Sequence, residues 1–188
     1  MKNNNKKMKK IAVYCGSNFG TDKTFKTQAY LLGKTLAKEK IELIYGGAEI
    51  GLMGALANGA LDENGKVIGI LPKFLKSQES AHEMLSELIL VDTMHERKHM
   101  MNELCDGIIA LPGGIGTLEE LIEMLTWRQI GLHQKPIGIL NINGFYKSLI
   151  SLFQTMVDNG LMKKENLDKI IISDDIDELL DLMKNYNE

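Results

Sequence analysis

Residues 112–120 of this chain read Pro-Gly-Gly-Ile-Gly-Thr-Leu-Glu-Glu, three glycines, a threonine and two carboxylates within nine positions. Glycine lets a backbone approach a phosphate closely, and a helix N-terminus adds N–H groups and a dipole that favours an anion. The flanking sequence supplies both. Ile108 to Leu111 is a continuous apolar run, as in a buried strand, and Leu118, Leu121, Ile122 and Leu125 recur at helical spacing. Gly113, Gly114, Ile115, Gly116 and Thr117 therefore form a candidate anion loop, with Thr117 expected to cap the helix and offer its hydroxyl. Glu119 and Glu120 follow in the helix's first turn. Carboxylates there also suit the dipole, so helix stabilisation and chemistry are both open readings for them.

Two other glycine turns, Gly16-Ser17 and Gly46-Gly47, also follow apolar runs. In open α/β sheets ligands bind at the carboxyl ends of strands, so three such turns together suggest a phosphate-bearing ligand. The dinucleotide fingerprint does not match, because Gly114-x-Gly116 lacks the third glycine and does not follow the first strand. A Walker loop is absent as well. His95-Glu96-Arg97-Lys98-His99 fits the H-E-x-x-H zinc pattern letter for letter. Its interior pair is cationic, however, and two cations beside a dication repel strongly where water is scarce. No metal is expected. Arg97 and Lys98 are then either working residues that meet an anion or part of a solvated helix face.

The elements that must position these groups follow from pattern. At 188 residues the chain suits one well-buried domain. A net charge of -3 leaves no nucleic-acid footprint. No run approaches the roughly 20 apolar residues of a membrane span, and the apolar run after the basic start is too short for a secretory signal. Cys15 and Cys105 lack metal-ligand spacing and read as buried thiols in a reducing, cytoplasmic setting. Residues 1–9, lysine and asparagine with little to bury, are expected to form a flexible basic tail before a single domain over 10–188. Short apolar runs begin near Lys10, Ile41, Val67, Leu88, Ile108, Pro136 and Ile170. Helical patterns lie between them: from Thr21 or Asp22 to about Lys40, Gly51 to about Glu63, Met94 to Leu104, Thr117 to Gly131, Gly144 to Asn159 and Asp174 to Asn185. Residues 73–87 show no clean period and are expected to be mostly loop. This alternation predicts a doubly wound α/β domain with a mostly parallel sheet.

The separated motifs together resemble one family. Gly46-Gly47 with Gly51-Leu52-Met53-Gly54, then Met94-His95-x-Arg97-Lys98-x-x-Met101, then Pro112-Gly113-Gly114-x-Gly116-Thr117-x-x-Glu120 are similar to the Lonely Guy family. The likeness continues through Thr126-Trp127-x-Gln129-x-Gly131-x-His133-x-Lys135-Pro136 and Leu140-Asn141-x-x-Gly144. It covers nearly the whole chain after the tail. One departure is Gly47-Ala48-Glu49, where the family usually has a third glycine. The resemblance implies a Rossmann-like homodimer, without cofactor, that hydrolyses the N-glycosidic bond of adenosine 5′-monophosphates to a free base and ribose 5-phosphate. It implies Arg97 and Glu120 as the catalytic pair. Substrate contacts would come from Glu79, Lys98, Gly113 to Thr117, Glu119, Gly46, Gly47, Ser17 and Thr126.

The residue types suit that reaction. Cleaving a glycosidic bond makes the ribose ring cationic, and a nearby carboxylate stabilises that charge and orients or deprotonates water. Arg97 is permanently charged and can place the nucleotide or hydrogen-bond the departing base. Glu119, one residue from Glu120, faces about 100° away on a helix and is its rival. A decarboxylase, the label often attached to such sequences, needs a lysine Schiff base to pyridoxal phosphate, and no lysine stands out for it. The main alternative is a module that binds a nucleotide without cleaving it, which has no need of Glu120 beside its anion loop.

Overall fold

The structure, a computed structural model, describes residues 8–76 and 81–186. The apolar runs form the strands β1 (Lys10–Tyr14), β2 (Glu42–Tyr45), β3 (Val67–Pro72), β4 (Glu87–Val91), β5 (Gly107–Ala110), β6 (Ile137–Leu140) and β7 (Ile170–Ser173). They make one sheet in the order β4-β3-β2-β1-β5-β6-β7, every pair parallel. Parallel strands need helical crossovers that cover both faces, which is why these strands read as unbroken apolar runs. The crossovers and end are α1 (Lys23–Lys38), α2 (Gly51–Asp62), α3 (Met94–Leu104), α4 (Ile115–Gln129), α5 (Lys147–Asp158), α6 (Lys164–Asp168) and α7 (Ile176–Lys184).

Side chains alternating along β1 divide the core. Ile11, Val13 and Cys15 join the layer under α1, α2 and α7, with Leu32, Leu56 and Leu179. Ala12 and Tyr14 join the layer under α3, α4 and α5, with Met101, Leu121 and Phe153. α1 and α2 cross at two glycines. A Cβ on Gly33 would lie 2.0 Å from the Leu56 carbonyl oxygen, and one on Gly59 would lie 2.0 Å from that of Tyr30. The chain runs outward from β1 to β4, then returns to β5 on the other side of β1 and runs outward to β7. The switch between β1 and β5 is the crevice where an α/β sheet places its ligand.

Several boundaries differ from the sequence expectation. α4 begins at Ile115, with Gly114 at the cap position and no side-chain cap bond, so Thr117 is not the cap but the third helical residue. Asp175, not Asp174, caps α7 by accepting from the Glu178 N–H. Gly144 does not start α5. It ends a short 3₁₀ turn, Ile142–Gly144, at φ +72°. The five-residue α6 has too few turns to show a period and was not foreseen. Met8 and Lys9, placed in the tail by composition, lie against the body: Met8 packs on the core and the Lys9 N–H donates to Asp106. The rest of that expected tail lies outside the described residues. Ala48, the departure from the family's glycine, is fully buried and bridges Ala81, so its methyl is absorbed by packing.

Candidate active site

The three glycine turns meet at the carboxyl ends of β1, β2 and β5. The Gly16 N–H donates to the Pro112 carbonyl at 3.1 Å, and the Leu52 N–H donates to the Gly16 carbonyl at 3.1 Å. Gly51 needs its positive φ of +62° and its missing side chain here, since a Cβ would fall 2.2 Å from the Ser17 carbonyl. Ser17 and Asn18 share a cleft of about 270 Å³ with Phe19, Phe25, Phe145 and Gly113. That cleft is on the α1 side of the glycine loop.

The loop itself is shaped for an anion. The first bond into α4 is Leu118 N–H to the Gly114 carbonyl, at 3.1 Å. The N–H groups of Ile115, Gly116 and Thr117 therefore precede any intrahelical acceptor and point out of the helix end. Cβ atoms on Gly114 or Gly116 would meet nothing within 4 Å, so the backbone there is open to a close approach. Gly113 has the opposite reason to be glycine: a Cβ would sit 2.1 Å from the Thr117 hydroxyl. Thr117 is buried against it, and Ile115 projects outward.

One to two turns into the helices, α3 and α4 bring four charged residues of the sequence reading together. The Arg97 guanidinium lies 3.8 Å from the Glu120 carboxylate, both side chains 9% exposed. Arg97 fits because Gly46 has no side chain; a Cβ there would be 2.0 Å from Nη2. Gly46 thus serves the arginine, while the Gly47 carbonyl accepts from the His82 N–H. The Lys98 ammonium bonds the Glu119 carboxylate and stands 3.0 Å from that of Glu123. Burial works to lower the Lys98 pKa, but the hydrogen bonds to Glu119 and Glu123 prevail and hold it above the ordinary lysine value. Lys98, expected at the anion, is held between these two carboxylates with its side chain 4% exposed. Glu123 was missed from sequence, although it lies one turn from Glu119 on the same helix face.

Glu120 carries the unbalanced charge. Burial pushes its carboxyl up from 4.5 to about 7; Arg97 opposes the rise, and Glu119 and Glu123 reinforce it against Lys98. A buried carboxyl poised near neutrality beside an arginine suits proton transfer. Residues of the zinc pattern are deployed differently. His95 and His99 are exposed, and Glu96 completes a capping box with Thr93. Glu79 lies outside the described residues. Thr126 is not brought to the pair. It follows Glu120 by six residues, about 120° around the helix, donates to the Ile122 carbonyl and lines an apolar groove between α4 and α5.

Comparisons with known proteins agree with this architecture. Residues 53–183 match the family described as "Possible lysine decarboxylase". The chain is 40% identical to the cytokinin riboside 5′-monophosphate phosphoribohydrolase LOG2 of Arabidopsis thaliana, over 99% of this chain and 87% of that one. It is 43% identical to the cytokinin riboside 5′-monophosphate phosphoribohydrolase of Rhodococcoides fascians, over 90% and 86%. Among solved structures, the molybdenum cofactor binding protein of Rippkaea orientalis shares the fold, with a TM-score of 0.70, 23% identity and coverage of 95% and 97%. With its charged pair set beside a glycine loop at the β1/β5 crevice, and with these relatives along nearly its whole length, the chain belongs to the Lonely Guy family of cytokinin riboside 5′-monophosphate phosphoribohydrolases.

Proposed function

We propose that this protein hydrolyses the N-glycosidic bond of adenosine 5′-monophosphate or its N6-substituted forms. The observation that carries the reading is the buried Arg97–Glu120 pair, 3.8 Å apart, beside a helix N-terminus open to an anion. The 5′-phosphate sits on the N–H groups of Ile115, Gly116 and Thr117, which fixes the nucleotide and spends its binding energy on orientation. Glu120, ionised, takes a proton from water as the water oxygen bonds to C1′. The C1′–N9 bond breaks with its electron pair going to the base. The base takes up the proton Glu120 received, directly or through water, and leaves neutral while Glu120 returns to its ionised form. The Glu120 charge also faces the ribose as it turns cationic, and Arg97 hydrogen-bonds the phosphate-ribose or the departing base. Glu119, 52% exposed, is available to ribose hydroxyls while Lys98, which also pairs with Glu123, holds it. Ser17 lines the crevice edge.

Pyridoxal phosphate does not fit these residues. Lys98 is the buried lysine among the described residues, and two carboxylates keep it protonated, unsuited to a Schiff base. We further infer a homodimer built on the α4–α5 face. Its groove of about 180 Å³ is lined by Ile122, Leu125, Phe153, Met156, Leu161 and Met162, and Leu161 is 81% exposed. Apolar surface of this kind marks an association site. In such a dimer Thr126 lies at the interface. Residues 10–188 act as one domain. The free, buried Cys15 and Cys105 suit a reducing cytoplasm, and no helix among the described residues is long and apolar enough to cross a membrane.

The test is a product assay on AMP and on N6-prenyl AMP. Ribose 5-phosphate and free base should appear in equal amounts from at least one. Tight nucleotide binding with no ribose 5-phosphate from either would replace the hydrolase by a binding module.

A further inference from the structure

Tyr14 ends β1, the central strand at the crevice, and its ring enters the layer under α3 and α4 beside Met101, Leu121 and Met124. It is 1% exposed. Its hydroxyl is a buried polar atom with no hydrogen-bond partner among the described residues, and Arg97 Nε is another. A phenol oxygen in that condition costs free energy unless a partner becomes available, so an unpaired one at a site calls for a reason. The charges its hydroxyl feels supply it: Glu120 foremost, then Cys105, Arg97 and Glu123.

We propose that Tyr14 is a positioning residue whose hydroxyl donates to the Glu120 carboxylate when that group ionises, keeping it a proton acceptor aimed at the crevice. This rests on the hydrolase reading for its consequence in catalysis, but not for the hydrogen bond itself. The logic is conditional pairing. While Glu120 is neutral, the phenol has no charged acceptor. Once Glu120 gives up its proton, the cleft holds an anion that Arg97 meets only at 3.8 Å. A buried neutral donor then gains a charge-assisted bond, which is stronger than a neutral one. Burial holds the Tyr14 phenol well above the ordinary tyrosine value, so it remains a donor throughout. The groups that face Glu120 are Arg97 and Lys98 from α3, Glu119 and Glu123 from α4, and Tyr14 from β1 with Cys15 after it. Cys15 lies just past β1 in the opposite core layer and offers only a weak S–H donor, so Tyr14 is the strong neutral donor in this set.

Tyr45 provides a matched control. It too is a buried tyrosine with an unpartnered hydroxyl, but it lies in the opposite core layer near Cys15 and Glu49. The experiment compares the full-length protein with Tyr14→Phe and Tyr45→Phe. The Glu120 carboxyl is titrated by ¹³C NMR of labelled glutamate, assigned with Glu120→Gln, and kcat/KM for AMP is followed across the same pH range. In Tyr14→Phe the Glu120 midpoint and the acidic limb of kcat/KM should both rise by about one pH unit, because the lost bond favoured the charged form. Tyr45→Phe should move neither. Thermal stability gives an independent reading: Tyr14→Phe should match or exceed the wild type at pH 5–6 and fall behind it above pH 8. A Glu120 midpoint unchanged in Tyr14→Phe, or an equal shift in Tyr45→Phe, overturns the assignment. An NMR shift confined to Tyr14→Phe in a protein that releases no ribose 5-phosphate would uphold the hydrogen bond and sink the hydrolase reading alone.

Discussion

At the scale of residues, Glu120 is the group on which the others act. Its carboxyl is held near neutrality by burial, and the nearest cation, Arg97, is close enough to soften that effect without cancelling it. Glu120→Gln keeps the shape and removes the charge. It should leave AMP binding nearly intact and cut kcat by about 10²–10⁴-fold, the range for a positioned acid–base group. Arg97→Ala should weaken both binding and turnover, since its charge meets an anionic substrate before the transition state. Glu119→Gln should keep most of the activity; a loss as large as that of Glu120→Gln would move the catalytic role to Glu119. The same carboxyl carries a stability signature. Its folded value lies above 4.5, so between about 4.5 and 7 the folded state holds a proton that the unfolded chain has released. Stability is therefore fully present below pH 4.5 and declines as pH rises to 7, by about 3 kcal/mol from this group. Glu120→Gln should remove that decline. Thermal melts should find the variant equal to wild type near pH 4.5 and more stable at pH 8.

At the scale of elements, glycine decides how closely parts approach. Gly46 and Gly33 illustrate two different uses. A Cβ at Gly46 would strike the far end of Arg97 and the Met53 sulfur, both able to move. Gly46→Ala should fold, with little change in melting temperature, and lose activity because the guanidinium is displaced from Glu120. A Cβ at Gly33 would strike the backbone of α2, which cannot give way without moving the helix. Gly33→Ala should lose about 1–3 kcal/mol of stability, as overpacking does. Its kcat should remain close to wild type at temperatures where it is folded. Denaturant midpoints and kinetics on the two variants separate these roles.

At the scale of the molecule, the apolar face on α4 and α5 is the feature a monomer leaves unexplained. Ile122, Leu152 and Leu161 are exposed there, and Ile130 and Leu132 continue past the end of α4. Sedimentation at micromolar concentration should give twice the chain mass or a multiple of it. Leu161→Asp, which places a charge on the groove rim, should shift the species to monomer. A wild-type protein that sediments as a fully active monomer would rule out the dimer.

The chain's pattern alone settled the order and kind of most elements, because parallel strands covered on both faces must be apolar throughout and their helices must be amphipathic. It also located the glycine loop at a strand end and a helix start, whereas the choice of Arg97 and Glu120 among the neighbouring charges came from the resemblance to the family. Boundaries that depend on local competition were not legible. The start of α4 at Ile115 rather than at a Thr117 cap is one, decided by the Gly113 backbone packing on Thr117. Partnerships between distant segments were not legible either. Nothing in the order of residues says that Gly46 makes room for Arg97, that Lys98 is shared by Glu119 and Glu123, or that Thr126 faces away from the pair. Nor does a tyrosine at the end of a strand announce that its hydroxyl will be buried without a hydrogen-bond partner. Those facts follow from packing α3 against α4 over β1, where burial sets both the distances and the charge each group can keep.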